Sequence, residues 1–111
     1  MSEAKGSGTR AGATARARAY VESGAFEADL ARRVAYRTES QLLPGSLPEL
    51  RRYLEEEMAP AFVRLGFTAR IYDNPVPGQG PMLLATHIED AELPTVLGYG
   101  HGDVIRGLED Q

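Results

Sequence analysis

The stretch from Ser46 to Gly66 constrains the fold of this 111-residue chain more than any other. Leu47, Leu50, Leu54, Met58, Ala61, Phe62 and Leu65 recur there at helical spacing, which demands an apolar partner for one face. Ser46-Leu47-Pro48-Glu49 predicts a capping box, with the Ser46 hydroxyl accepting from the amide of Glu49 and the Glu49 carboxylate reaching back. Pro48 is harmless in the first turn, where its missing N–H would have had no intrahelical partner. Pro60 must kink or restart the helix, because it cannot donate to the carbonyl of Glu56. Gly66 supplies the stop. Glu55, Glu56 and Glu57 are consecutive and point in different directions, so they read as a solvated face rather than a metal site.

Around this helix the rest falls into order. Met1 to Thr14 is small, polar and Gly-rich, and the first 24 residues read as a flexible N-terminal tail, with helix possible from Ala15 to Glu22. Arg10, Arg16 and Arg18 faintly suggest a transit peptide, which Glu3 and Glu22 argue against. Ser23-Gly24 breaks any such helix and can cap the next one. From Ala25 to Tyr36, Phe26, Leu30 and Val34 form one amphipathic stripe. Arg32 and Arg33 read as a solvated face, and Thr38-Glu39-Ser40 as a polar turn. After the long helix, Phe67 to Tyr72 alternates as a half-buried strand, Asp73 to Pro81 is a dense turn cluster, and Met82 to Ile88 returns antiparallel. An acidic loop, Glu89 to Pro94, leads to a third expected strand, Thr95 to Tyr99. Two helices followed by three strands is the opening of a mixed α/β sheet, and residues 25–111 read as an incomplete domain of that kind. Val96, Leu97 and Val104 are dressed for a core that the other elements do not supply.

Composition narrows the function classes. A net charge of −4 and a pI near 5.1 argue against nucleic acid as a partner. There are no cysteines, so disulfides, thiolate metal sites and thiol nucleophiles are excluded, and a cytoplasmic location is expected. No apolar run is long enough to cross a bilayer, so no membrane partner is expected.

The remaining chemistry concentrates at Gly100-His101-Gly102-Asp103, directly after the third expected strand. In open α/β sheets, functional groups sit beyond the carboxyl ends of strands. A neutral imidazole ligates a metal through one nitrogen while a carboxylate takes the N–H of the other. His101-x-Asp103 has the composition for that arrangement, and Gly100 and Gly102 leave room for unusual dihedrals or close approach. The alternative is a histidine bonded to a backbone carbonyl in a Gly-rich turn. A Ser-His-Asp triad lacks its G-x-S-x-G elbow. His87 could be a second ligand if its strand adjoins that of His101. Gly98-Tyr99-Gly100 has no phosphate-loop pattern around it.

Thr95-Val96-Leu97-Gly98-Tyr99-Gly100-His101-Gly102-Asp103-Val104-Ile105 resembles the first metal motif of the M-twenty metallopeptidases, an apolar strand followed by Gly-His-x-Asp-Val-Val. The resemblance takes in the helix and T-E-S turn from Phe26 to Ser40, the helix ending Leu-Gly-Phe at Phe67, and the two strands that follow, so roughly residues 20–111. It implies the N-terminal part of a mixed-sheet catalytic domain that hydrolyses amide bonds of peptides or N-acyl amino acids. It further implies two zinc ions in a complete site, with cobalt possible, and a homodimeric parent. By the same resemblance His101 is a metal ligand, and Asp103 is the catalytic-site residue that holds it. Ile105-Arg106 departs from the family's Val-Pro. The family's other ligands and its general base have no match in this sequence, so the chain itself is expected to be inactive. A different class of function stays open: a small non-catalytic α/β module that binds a partner protein through an exposed sheet edge.

Overall fold

The computed structural model describes residues 8–107 and divides them into two compact units, one ending at Ala35 and the other beginning at Tyr36. In the first unit, helix α1 spans Arg10–Glu22 and α2 spans Ala25–Val34. Thr9 starts α1 by accepting from the amide of Gly12 at 3.0 Å, and the alanine-rich run that follows carries little helix-forming penalty. Helix therefore occupies most of the segment expected to be a flexible tail; residues 1–7 of that tail lie outside the described part. Gly24, at φ +87°, makes the break between the helices, a conformation that glycine adopts without steric penalty. Across it, Tyr20 and Phe26 meet edge to face with centroids 5.8 Å apart, and the Tyr20 hydroxyl donates to the Asp29 carboxylate. Asp29 also pairs with Arg32 at 2.8 Å. Phe26, Leu30 and Val34 all remain exposed.

The second unit is built on the long helix. It runs as α3 (Leu47–Arg52), a π-helical stretch (Tyr53–Met58) and α4 (Ala59–Arg64). The π stretch is how the helix survives Pro60: the Ala59 amide bonds back five residues to the carbonyl of Leu54, and the α register restarts just ahead of the proline. The expected capping box is not formed. Ser46 occupies the cap position with φ −82° and ψ −1°, and its buried Oγ has no hydrogen-bond partner among the described residues. Glu49 turns away, accepting from the Arg37 amide at 3.2 Å and pairing with Arg52. Glu57 also departs from the expected solvated face, being only 4 % exposed.

The helix ends in a Schellman motif. The Gly66 amide bonds the Val63 carbonyl, the Phe67 amide bonds the Phe62 carbonyl, both at 3.0 Å, and Gly66 takes φ +92°. The Phe62 and Phe67 rings close it with centroids 5.3 Å apart. Strand β1 (Thr68–Tyr72) then pairs antiparallel with β2 (Met82–Thr86) in the register Thr68↔Thr86, Arg70↔Leu84, Tyr72↔Met82. Alternation puts Ala69, Ile71, Leu83 and Ala85 on the half-buried face toward α4 and leaves Tyr72, Met82 and Leu84 on an exposed one. The intervening loop is fastened by Asn74, whose side chain accepts from the Val76 amide at 2.9 Å and donates to the Gly80 carbonyl at 3.0 Å.

The third expected strand is absent among the described residues. There Thr95–Tyr99 joins no sheet and forms no backbone hydrogen bond, and Val96 is 92 % and Leu97 89 % exposed. The described residues form a small mixed α/β arrangement of three helices and a two-stranded antiparallel sheet. Leu50, at 8 % exposure, is the one buried hydrophobic residue among those described. No helix among them is long and apolar enough to cross a membrane.

Candidate functional site

The turn bearing His101 and Asp103 is held by the T-E-S-Q segment, more than sixty residues earlier in sequence. Glu39 and Val104 form an isolated parallel bridge, with the Val104 amide on the Thr38 carbonyl at 2.9 Å and the Ser40 amide on the Val104 carbonyl at 3.2 Å. Side chains do the rest. The Thr38 hydroxyl donates to the Gly102 carbonyl at 2.7 Å, the Glu39 carboxylate accepts from the Gly107 amide at 2.9 Å, and the Gln41 side-chain oxygen accepts from the Arg106 amide at 2.7 Å. Thr38 and Glu39 are buried by this contact. The Gly107 amide, with Arg37 beside it, holds the Glu39 carboxyl below its ordinary value.

Within the turn, His101 Nδ1 lies 3.1 Å from Asp103 Oδ1 and 3.1 Å from the Asp103 backbone carbonyl. Both partners are acceptors, so these are hydrogen bonds only when Nδ1 carries the proton. In the neutral ring that leaves the Nε2 lone pair free, on a side chain 68 % exposed. The expected backbone-carbonyl contact and the carboxylate contact are both present at this one nitrogen. Ser40 hydrogen-bonds the Asp103 carboxylate, and that bond, with His101 adding to it, lowers the Asp103 carboxyl below its usual range. The order is Ser40, Asp103, His101. A nucleophilic triad needs the imidazole in the middle to take the hydroxyl proton, so this arrangement is not one.

Gly102 does not have a positive φ. Its requirement is space: a Cβ there would overlap Cε1 of Tyr53 and stand 3.0 Å from its Cζ. The close neighbour is therefore a ring of the protein's own π-helical stretch. Tyr53 meets Tyr36 edge to face at 5.8 Å, and the Arg52 guanidinium lies 5.4 Å from the Tyr36 ring centre. Thr38, Gln41 and Tyr53 carry no chemical motif, and sequence reasoning passed over them as site residues; the T-E-S turn was the one hint.

His87 takes no part. Its ring packs against Phe67 with centroids 5.2 Å apart, and the strand adjacency that would bring it to His101 does not exist. Among the described residues no group of three or more His, Asp or Glu side chains is arranged to hold a metal ion. A zinc site takes three or four protein ligands, more than the His101–Asp103 pair by itself supplies. No protein-family model, curated protein or solved structure matches the chain.

Proposed function

We propose that this chain forms the N-terminal part of the catalytic domain of a metal-dependent, cytoplasmic hydrolase acting on amide bonds of peptides or N-acyl amino acids. The observation that carries the reading is the His101 ring: Nδ1 faces two acceptors on a side chain 68 % exposed, which leaves Nε2 as the nitrogen to meet a cation. The bare Val96 and Leu97 support it, since an exposed apolar, β-prone run suits the interior of a larger sheet. Zinc or cobalt would polarise the scissile carbonyl in the complete site. Within this chain His101 would contribute one ligand, and Asp103 would orient it. The remaining ligands and the general base would come from residues outside those described; by the same resemblance, the 111-residue chain alone is expected to hydrolyse nothing.

The test is to read the coding DNA beyond codon 111 and assay the product of the complete reading frame. Continuation into acidic and His-containing motifs, with zinc- or cobalt-dependent cleavage of an N-acyl amino acid that falls at least about 100-fold in His101→Ala, supports the reading. A stop at that point, or metal-dependent activity in the 111-residue chain alone, overturns it. A second reading, a non-catalytic module that binds a partner through a sheet edge, is favoured by Thr95–Tyr99, which makes no backbone hydrogen bond among the described residues. A stop codon together with capture of an extended apolar peptide would select it.

A further inference from the structure

We propose that Thr38 and Tyr53 are positioning residues for the His101–Asp103 turn, Thr38 by tethering the Gly102 carbonyl and Tyr53 by filling the space beside Gly102. The inference rests on reading His101 as a cation ligand, and it assigns the parts that choose which ring nitrogen is offered.

The turn has little regular structure of its own. Residues 95–103 join no strand or helix, and neither Gly100 nor Gly102 adopts a left-handed conformation that would fix the backbone. An isolated two-residue spacing between His and Asp lets the imidazole rotate freely. What brings the Asp103 carboxylate and carbonyl together at 3.1 Å from the same ring nitrogen must therefore be imposed from outside. Two constraints act on the middle residue. The 2.7 Å bond from the Thr38 hydroxyl fixes the direction of the Gly102 carbonyl, while the Thr38 backbone fixes Val104. The Tyr53 ring, itself packed on Tyr36, stands where a side chain at position 102 would go. The peptide units between His101 and Val104 are thus held by both contacts, and Asp103 is delivered to Nδ1. The pattern also gives the π-helical stretch a role: Tyr53 begins it, so the widened turn that accommodates Pro60 also starts at the residue seating this loop.

The proposal is tested on the complete 111-residue chain without metal, from the nitrogen signals of His101 in long-range proton–nitrogen spectra at about pH 8, above the ordinary imidazole range. In the wild type, Nδ1 should be the protonated nitrogen and Nε2 the bare one. Thr38→Val keeps the shape and removes the hydroxyl; the major form should switch to Nε2–H, which an untethered histidine favours. Thr38→Ser should restore Nδ1–H. Gly102→Ala should cause the same switch, and Gly102→Ala combined with Tyr53→Ala should reverse it by opening the space. A role confined to stability would lower the melting temperature and leave the tautomer alone. Retention of Nδ1–H in both Thr38→Val and Gly102→Ala overturns the proposal, as does an Nε2–H wild type. Should Thr38→Val fail to fold, the Thr38→Ser and paired Gly102 and Tyr53 variants decide by the same signals. Because no metal or substrate enters, failure here is separate from failure of the hydrolase reading, which the cleavage assay alone decides.

Discussion

At the scale of single residues, the helix start and the T-E-S-Q segment show side chains serving purposes that local pattern does not reveal. Ser46 and Glu49 have the spacing of a capping box, yet Glu49 is drawn to the Arg37 amide and to Arg52, leaving the Ser46 hydroxyl unpaired. A working N-cap is worth about 0.5–2 kcal/mol. Here Ser46→Ala should change stability in urea by less than about 0.5 kcal/mol, whereas Glu49→Gln should lower the urea midpoint. The Arg37 amide and Arg52 hold the Glu49 carboxyl below its ordinary value, which marks the charged form as the one that is bound. Glu39 behaves alike. Its folded-state carboxyl is lowered from an ordinary 4.5, so its contribution is complete above that pH and disappears as pH falls through the lowered folded value. Acid titration followed by the Gly107 and Val104 amide signals should show the tie loosening below about pH 4.5, and Glu39→Gln should remove that dependence. The competing partner, Arg37, lies twelve residues before Glu49, which is why spacing within the helix predicted the wrong bond.

Among the elements, those carrying their own punctuation were legible and those needing a neighbour were not. Gly66 stops the helix as its position predicts, and the Schellman bonds and the Phe62–Phe67 contact follow from the Leu-Gly-Phe ending. Gly66→Ala should cost about 1 kcal/mol in thermal or urea unfolding through its positive φ, since the nearest atom to an added Cβ is His87 Nε2 at 3.7 Å, ordinary contact. The hairpin was readable from alternation and its turn cluster. The first helix was read as possible only from Ala15, because glycines and small polar residues dominate the beginning of the chain, although Thr9 ahead of an alanine run was available as a cap signal. Thr95–Tyr99 has a strand's composition without a strand's pairing, because pairing depends on an edge that composition cannot supply. A bare, uncharged, β-prone run invites self-association. Leu97→Lys should reduce concentration-dependent association measured by sedimentation and leave the melting temperature nearly unchanged. An equal change at exposed Val63 on the helix should not reduce it.

For the whole molecule, the shortage is of interior. With Leu50 the one buried hydrophobic residue described, little apolar surface leaves water on folding, and the denaturant response must be shallow. The slope in urea should lie at or below the low end of the usual range, about 1 kcal/mol per molar, and rise if a covering partner or further sequence is supplied. The site was legible as a pair, His101 with Asp103, because their chemistry is local. Its frame was not, because that frame is recruited from the far side of the chain. Thr38 and Gly102 are 64 positions apart, and Glu39 and Gly107 are 68 apart. Bringing such distant points together forfeits roughly 3–4 kcal/mol of chain freedom, and among the described residues a short bridge, four side-chain bonds and the Tyr53 ring beside Gly102 offset it. The imidazole-bearing turn should accordingly assemble after the hairpin and helix have formed, and detach before they melt. Whatever reactivity it acquires would vanish on mild warming while the helical signal still looks native.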